Sequence, residues 1–196
     1  MATIGFMVSD QAPSFDSNLT VTYDPSALKP KVASDNKGSS YIDGKDVDFP
    51  LSGEQYGRIE CADIGLDAPV YWYDSEEILA YGAGQSLISM PPGFNGPIIL
   101  SGHNTTYFRC LQDAKQGNVI QFHTNYCEYE YTVTKVEVYN EDVLESLLID
   151  KTKRQKEELI LYTCYPFHAI SGRKTDRQVV FAKRTAGQDV RWKEQG

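Results

Sequence analysis

The chain reads as mostly β, a closed or nearly closed barrel of seven or eight strands decorated by two or three short helices. Three observations carry that reading. Short apolar runs recur from about residue 56 onward, each bounded by Gly, Pro, Asn or Asp. Tyrosine is abundant, 13 of 196 residues, which favours strands over helices. Stretches with helical start and stop signals are few and short. At 196 residues the chain can bury one full core but not two large ones, so a single organised domain is expected over 51–196.

Residues 1–50 are rich in Ser, Asp, Lys, Gly and Pro and show no sustained period, with "SDNKGSSYIDGKD" the clearest flexible stretch. They read as a flexible arm or stalk, with a short element around "NLTVTYDP". From Tyr56 the pattern tightens. "GRIECADI" and "APVYWY" are strands. "DSEEILAYG" is a helix, with Asp74 and Glu77 in capping-box positions and Gly82 as the stop. "PPGFNGPIILSGHN" places turn chemistry ahead of a short strand at 98–100 that ends at Gly102–His103. "TTYFRCLQDAKQGN" is a short helix packing Phe108 and Leu111 and closed by Gly117.

"VIQFHT" and "YEYTVTKVEVY" form the next two strands, joined by the turn "NYCE". In the second, Tyr129, Tyr131 and Val133 share one face while Val136 and Val138 fall on the other, so a β-bulge near Thr134–Lys135 is expected. "EDVLESLLID" is another helix, followed by a charged loop, "KTKRQKEE". "LILYTC" is a central strand, ended by Pro166, which has no amide hydrogen for a ladder; "RQVVFAKR" is the last strand.

A net charge of −8 and a pI near 4.9 argue against a nucleic-acid partner, which calls for a basic face. No stretch reaches the roughly 18 apolar residues of a spanning helix and no secretory signal opens the chain, which fits either a cytosolic protein or one whose anchor precedes residue 1. The four cysteines, Cys61, Cys110, Cys127 and Cys164, form no CxxC pair and no histidine stands at zinc-finger spacing from them, so a structural zinc site is not expected; no carboxylate spacing supports a calcium site, and no cofactor is expected.

Three residues stand at strand ends with chemistry to offer: His103 after "IILSG", Cys164 after "LILYT", and Arg177 opening "RQVVFA". A thiolate nucleophile needs a proton carrier and a group that stabilises an oxyanion, and barrel rims can bring strand ends together. Arg173 competes for the third role, but it lies mid-loop after Gly172. His123 shares a strand face with Gln121 and reads as solvent-exposed; His168, a loop residue four after Cys164, is the worse-held base. Cys61, Cys110 and Cys127 read as packing or surface residues, and the pairs Glu76–Glu77 and Glu157–Glu158 as solvated faces.

The ordered trio and its contexts resemble the sortases, the cysteine transpeptidases that fix proteins to Gram-positive cell walls. The family's Thr-x-Thr-Cys motif is matched here by "LYTC", with Leu161 in place of the first Thr. Its Gly–His pair is matched by Gly102–His103, and its strand-opening arginine by Arg177. The likeness runs from about Tyr56 to Arg184, and "TCYPF" is most like the class D enzymes. Class C enzymes carry an Asp-Pro-aromatic lid, whereas Asp24–Pro25 is followed here by Ser26.

The resemblance implies a closed sortase-type barrel and an extracellular enzyme held on the outer face of a Gram-positive plasma membrane. It implies cleavage of a Leu-Pro-x-Thr-Gly-type signal between Thr and Gly. The acyl group then passes to an amine, a cell-wall cross-bridge or a pilin lysine, through a thioester on Cys164. His103 serves as acid and base and Arg177 as oxyanion partner. Thr163, Tyr165 and Asn104 are the expected peptide contacts, and a monomer is expected. A cysteine endopeptidase and a pilin-polymerising class C enzyme are the alternatives, and a slow enzyme with a bell-shaped pH profile is expected.

Overall fold

A computed structural model describes residues 41–168 and 174–192. The expected element at "NLTVTYDP", the Asp24–Pro25 pair and Arg173 lie outside the described residues. Ten strands and two α-helices follow in order: β1 (Tyr41–Asp43), β2 (Gln55–Cys61), β3 (Leu66–Trp72), α1 (Glu76–Leu79), β4 (Ala83–Gln85), β5 (Pro97–Ser101), β6 (Val119–Thr124), β7 (Glu128–Asn140), α2 (Glu141–Lys153), β8 (Glu158–Tyr165), β9 (Asp176–Ala186) and β10 (Asp189–Arg191). Eight of the strands close a barrel in the order β2-β3-β4-β5-β8-β9-β7-β6, as the fold class predicted.

Period-two alternation decides what the barrel encloses. Ile98 and Leu100 of β5, Leu159 and Leu161 of β8, and Val180 and Ala182 of β9 point inward into the main core, with Ile59, Phe122 and Tyr131. Their strand neighbours Ile99, Ile160, Val179 and Phe181 point outward and are covered by Leu144 and Leu148 of α2. The β5–β8–β9 sheet is therefore buried on both faces over most of its length, which is why these strands read as continuous apolar runs. Leu161, the departure from the family's Thr, is fully buried in the inner core.

The bulge expected near Thr134–Lys135 is present: β7 skips register between Val133 and Lys135 against β9. Other local expectations shift. Ser75, not Asp74, caps α1, its hydroxyl accepting from the Ile78 amide at 3.4 Å. Asp74 is instead half-buried against the sheet. The helix expected at "TTYFRCLQDAKQGN" is a tight 3₁₀ turn, Arg109–Asp113, with Phe108 and Leu111 fully buried beneath it. The charged loop after "EDVLESLLID" is shorter than expected because α2 runs on to Lys153, where Lys151 and Lys153 lie in the last turn against the negative end of the helix dipole.

Residues 41–50, grouped with the arm on composition, carry β1, which pairs in parallel with β10, and Ile42 and Val47 join the main core. The pair Glu157–Glu158 is not a solvated face. Glu157 is 6 % exposed and accepts from the Tyr131 hydroxyl at 2.7 Å, the Gly93 amide at 3.1 Å and Arg184 at 3.2 Å. Glu158 pairs with Lys151.

Candidate active site

The C-terminal ends of β5 and β8 and the N-terminal end of β9 meet at one rim of the barrel. In the antiparallel β8–β9 ladder Cys164 lies directly opposite Arg177. Cβ atoms of such cross-strand partners on one face are about 4.5–5.5 Å apart. Both residues share the outward phase of Ile160 and Val179, beyond the part of that face that α2 covers. In the parallel β5–β8 ladder the last pair is Ser101 with Tyr162, two residues before His103 and Cys164, so the same register carried past the end of the ladder would bring these two alongside each other. The thiol is partly exposed, and the imidazole is 34 % exposed.

Two buried polar side chains hold this arrangement from behind. The Thr163 hydroxyl donates to the Gly102 carbonyl at 2.6 Å. The Asn104 amide donates to the carbonyls of Cys164 at 2.7 Å and Pro166 at 3.3 Å. Thr163 and Asn104 are the expected peptide contacts, but both side chains are buried; the Thr163 hydroxyl and the Asn104 amide nitrogen are engaged by backbone carbonyls and the Asn104 Oδ1 accepts from Lys174 Nζ at 3.5 Å, so they position the His103 and Cys164 segments instead. Tyr165, the third expected contact, is partly exposed and stands edge-on to Phe167, with ring centroids 6.3 Å apart. The Tyr165–Pro166 peptide is cis.

Gly102 is required by packing: a Cβ there would sit 2.7 Å from the Phe108 ring. That ring closes the turn whose Thr106 and Phe108 amides both donate to the His103 carbonyl.

Carboxylates surround the rim. Glu76 approaches His103 Nε2 at 3.6 Å, but at 89 % exposure its pull is screened by water. The Glu141 carboxylate accepts from Arg177 Nη2 at 2.8 Å, and Arg177 Nη1 donates to the Lys174 and Asp176 carbonyls at 2.7 and 2.9 Å. Burial pushes the Asp74 carboxyl above its ordinary range. Burial likewise pushes up the Tyr162 hydroxyl, and the Asp74 charge adds to that shift. Sequence reasoning missed Asp74 and Glu141. The Asn140-Glu141 helix start was the one available signal for Glu141, and it marks a cap rather than a partner for a distant arginine.

The remaining candidates make other contacts. His123 sits on the outer wall between Glu60 at 3.7 Å and Glu128 at 3.6 Å. The His168 ring meets Gln112 Oε1 at 3.1 Å. Burial pushes the Cys110 thiol up to about 11 and raises that of Cys61, so neither carries much thiolate at neutral pH. All four cysteines are unbridged.

A closed β-barrel with a thiol, an imidazole and a guanidinium on one rim defines the class: a barrel protein with a cysteine-centred site. The chain belongs to the sortase family, whose domain model matches residues 59–185. It is 31% identical to Sortase D of Bacillus subtilis (strain 168) over 159 residues, which cover 81% of this chain and 78% of that one. A sortase C structure from Clostridium perfringens, solved with the C-terminal cell wall sorting motif, superposes with a TM-score of 0.59 at 29% identity, over 69% of this chain and 73% of that one. The Clostridium perfringens Sortase D5 transpeptidase shares the fold, with a TM-score of 0.61 at 20% identity over 72% and 86% of the two chains. The chain is thus a sortase-type enzyme, with the class D likeness that "TCYPF" suggested.

Proposed function

We propose that the protein is a cysteine transpeptidase that cleaves a Leu-Pro-x-Thr-Gly-type sorting signal between Thr and Gly and passes the acyl group to an amine. One observation carries the reading. The β8–β9 ladder sets Arg177 opposite Cys164, and the β5–β8 register runs toward His103 on the other side, on outward sheet beyond the residues that Leu144 and Leu148 cover. The Clostridium perfringens sortase C structure solved with the C-terminal cell wall sorting motif supports the substrate class.

In the first half-reaction the Cys164 thiolate attacks the Thr carbonyl carbon and a C–S bond forms. Arg177 donates to the resulting oxyanion. The oxyanion collapses, the Thr–Gly C–N bond breaks, and protonated His103 gives its proton to the departing Gly amine. In the second half an acceptor amine attacks the thioester, with neutral His103 removing its proton. The C–S bond breaks and the thiolate is restored. The acceptor is a cell-wall cross-bridge or a pilin lysine. The enzyme works as a monomer on the outer face of the plasma membrane. Among the described residues no helix is long and apolar enough to cross a membrane.

Mass spectrometry of the protein with Leu-Pro-x-Thr-Gly peptides, with and without an added amine and beside Cys164→Ala, tests this. A thioester on Cys164 that passes to the amine is the expected result. An adduct released only as free acid, whatever amine is supplied, would make the protein an endopeptidase, and no adduct with any peptide would remove the reading.

A further inference from the structure

We propose that Glu141 is a positioning residue of the reaction, holding the Arg177 guanidinium in one orientation beside Cys164; this rests on the function proposed above. Arginine offers five N–H donors in a rigid planar fork. Three contacts occupy Arg177: the Glu141 carboxylate on Nη2, and the Lys174 and Asp176 carbonyls on Nη1. The Nε–H and one Nη2–H remain for a ligand. The two carbonyls come from Arg177's own segment and move with it. Glu141 alone among these partners belongs to a different element, the first turn of α2, and so ties the guanidinium plane to the body of the barrel.

The anchor is itself well held. The Glu141 amide donates to the Thr175 carbonyl at 2.7 Å, and Asn140 caps the helix by accepting from the Asp142 amide. The preceding strand fixes the register, with Tyr139 paired to Arg177 and Asn140 to Asp176. Both side chains are mostly buried, at 20 % exposure for Arg177 and 27 % for Glu141, so the pair keeps an interaction that a fully exposed pair would lose to water. A long side chain opposite a nucleophile can adopt many rotamers, and only those presenting the free N–H edge to the oxyanion contribute to the rate. Glu141 selects among them. Its carboxylate also offsets the guanidinium charge until an oxyanion develops.

Single-turnover acylation of Cys164 by a Leu-Pro-x-Thr-Gly peptide, followed by mass, tests the inference in Glu141→Ala, Glu141→Gln, Arg177→Ala and the double variant Glu141→Ala/Arg177→Ala. Glu141→Ala is expected to lower the maximal acylation rate about tenfold or more with little change in the half-saturating peptide concentration, because orientation rather than binding is lost. Glu141→Gln keeps an acceptor for Nη2 and is expected to recover most of the rate. In the Arg177→Ala background the Glu141→Ala change is expected to cost nothing further, since the two act as a unit. A role confined to the start of α2 would instead give the same loss in both backgrounds, alongside a lower Tm, and that result overturns the proposal. Wild-type acylation with an unaffected Glu141→Ala overturns it alone. No acylation of the wild type overturns it together with the function it rests on.

Discussion

The Thr163 hydroxyl donates to the Gly102 carbonyl at 2.6 Å, joining the residue before Cys164 to the residue before His103. It is a buried bond across two parallel strands, placed where the ladder gives out. Thr163→Val keeps the shape and leaves the Gly102 carbonyl without this donor, so a loss of roughly 1–3 kcal/mol in urea unfolding is expected. Acylation should slow while peptide affinity holds, and Thr163→Ser should restore both. A Val variant as stable and as fast as wild type would remove the role assigned to this bond.

Asn104 does for the Cys164 segment what Thr163 does for the His103 segment. Its amide binds the Cys164 and Pro166 carbonyls, and Asn104→Ala frees the backbone that carries the thiol. Displacement of a nucleophile by about 1 Å can cost on the order of a hundredfold in rate. The maximal acylation rate of Asn104→Ala is expected to drop by between ten- and a hundredfold. The free thiol should still react with a small alkylating reagent, because exposure of Cys164 is not what changes. A variant with unchanged kinetics would show that the strand alone holds the cysteine.

Gly102→Ala tests whether glycine precedes His103 for packing. The added methyl would meet the Phe108 ring at 2.7 Å, and that ring is fully buried. Overpacking of this kind costs about 1–3 kcal/mol. Combining it with Phe108→Leu is expected to cost less than the sum of the two single changes, measured by urea unfolding, because the leucine vacates the space the methyl needs. Strict additivity would point to a backbone requirement at Gly102.

At the opposite end of the barrel, Glu157 and Asp189 share Arg184 yet titrate in opposite directions. Burial holds the Glu157 carboxyl above its ordinary value, although Tyr131 and Arg184 oppose the shift. A raised folded-state value means that the folded chain holds this proton more tightly than the unfolded chain. Stability from Glu157 is therefore fully present below about pH 4.5, the unfolded carboxyl range, and is lost as pH rises through the folded value. Asp189 is lowered by hydrogen bonds from Arg184 and Arg191, so its contribution is present at neutral pH and is lost on acidification. Glu157→Gln should flatten the fall in Tm between pH 4.5 and neutrality while leaving the acid limb in place. A parallel displacement of the whole Tm–pH curve would contradict the assignment.

The barrel was legible in the sequence wherever a strand is long and buried on both faces. "LILYT", "PIIL" and "RQVVFA" are apolar throughout because α2 covers what the barrel interior does not, and the phase break in "YEYTVTKVEVY" announced a bulge. Strands β4, β1 and β10 were not legible. Each is three residues long, too short for a local period to mark it, and β1 and β10 pair only with each other from opposite ends of the domain. Cys164 and Arg177 stand one residue inside the end of β8 and the start of β9, and His103 two residues past the end of β5, and strand ends are readable from turn residues and proline.

The roles of their neighbours were decided by the tertiary structure alone. Thr163 and Asn104 read as peptide contacts until burial turned them toward the backbone. Glu157 read as a solvated acid until the Gly93 loop and Arg184 enclosed it. Glu141 carried no sign of its arginine, 36 positions away. Strand identity follows from neighbours in the chain, whereas a polar side chain's partner is set by which distant segments closure of the barrel brings within hydrogen-bond reach.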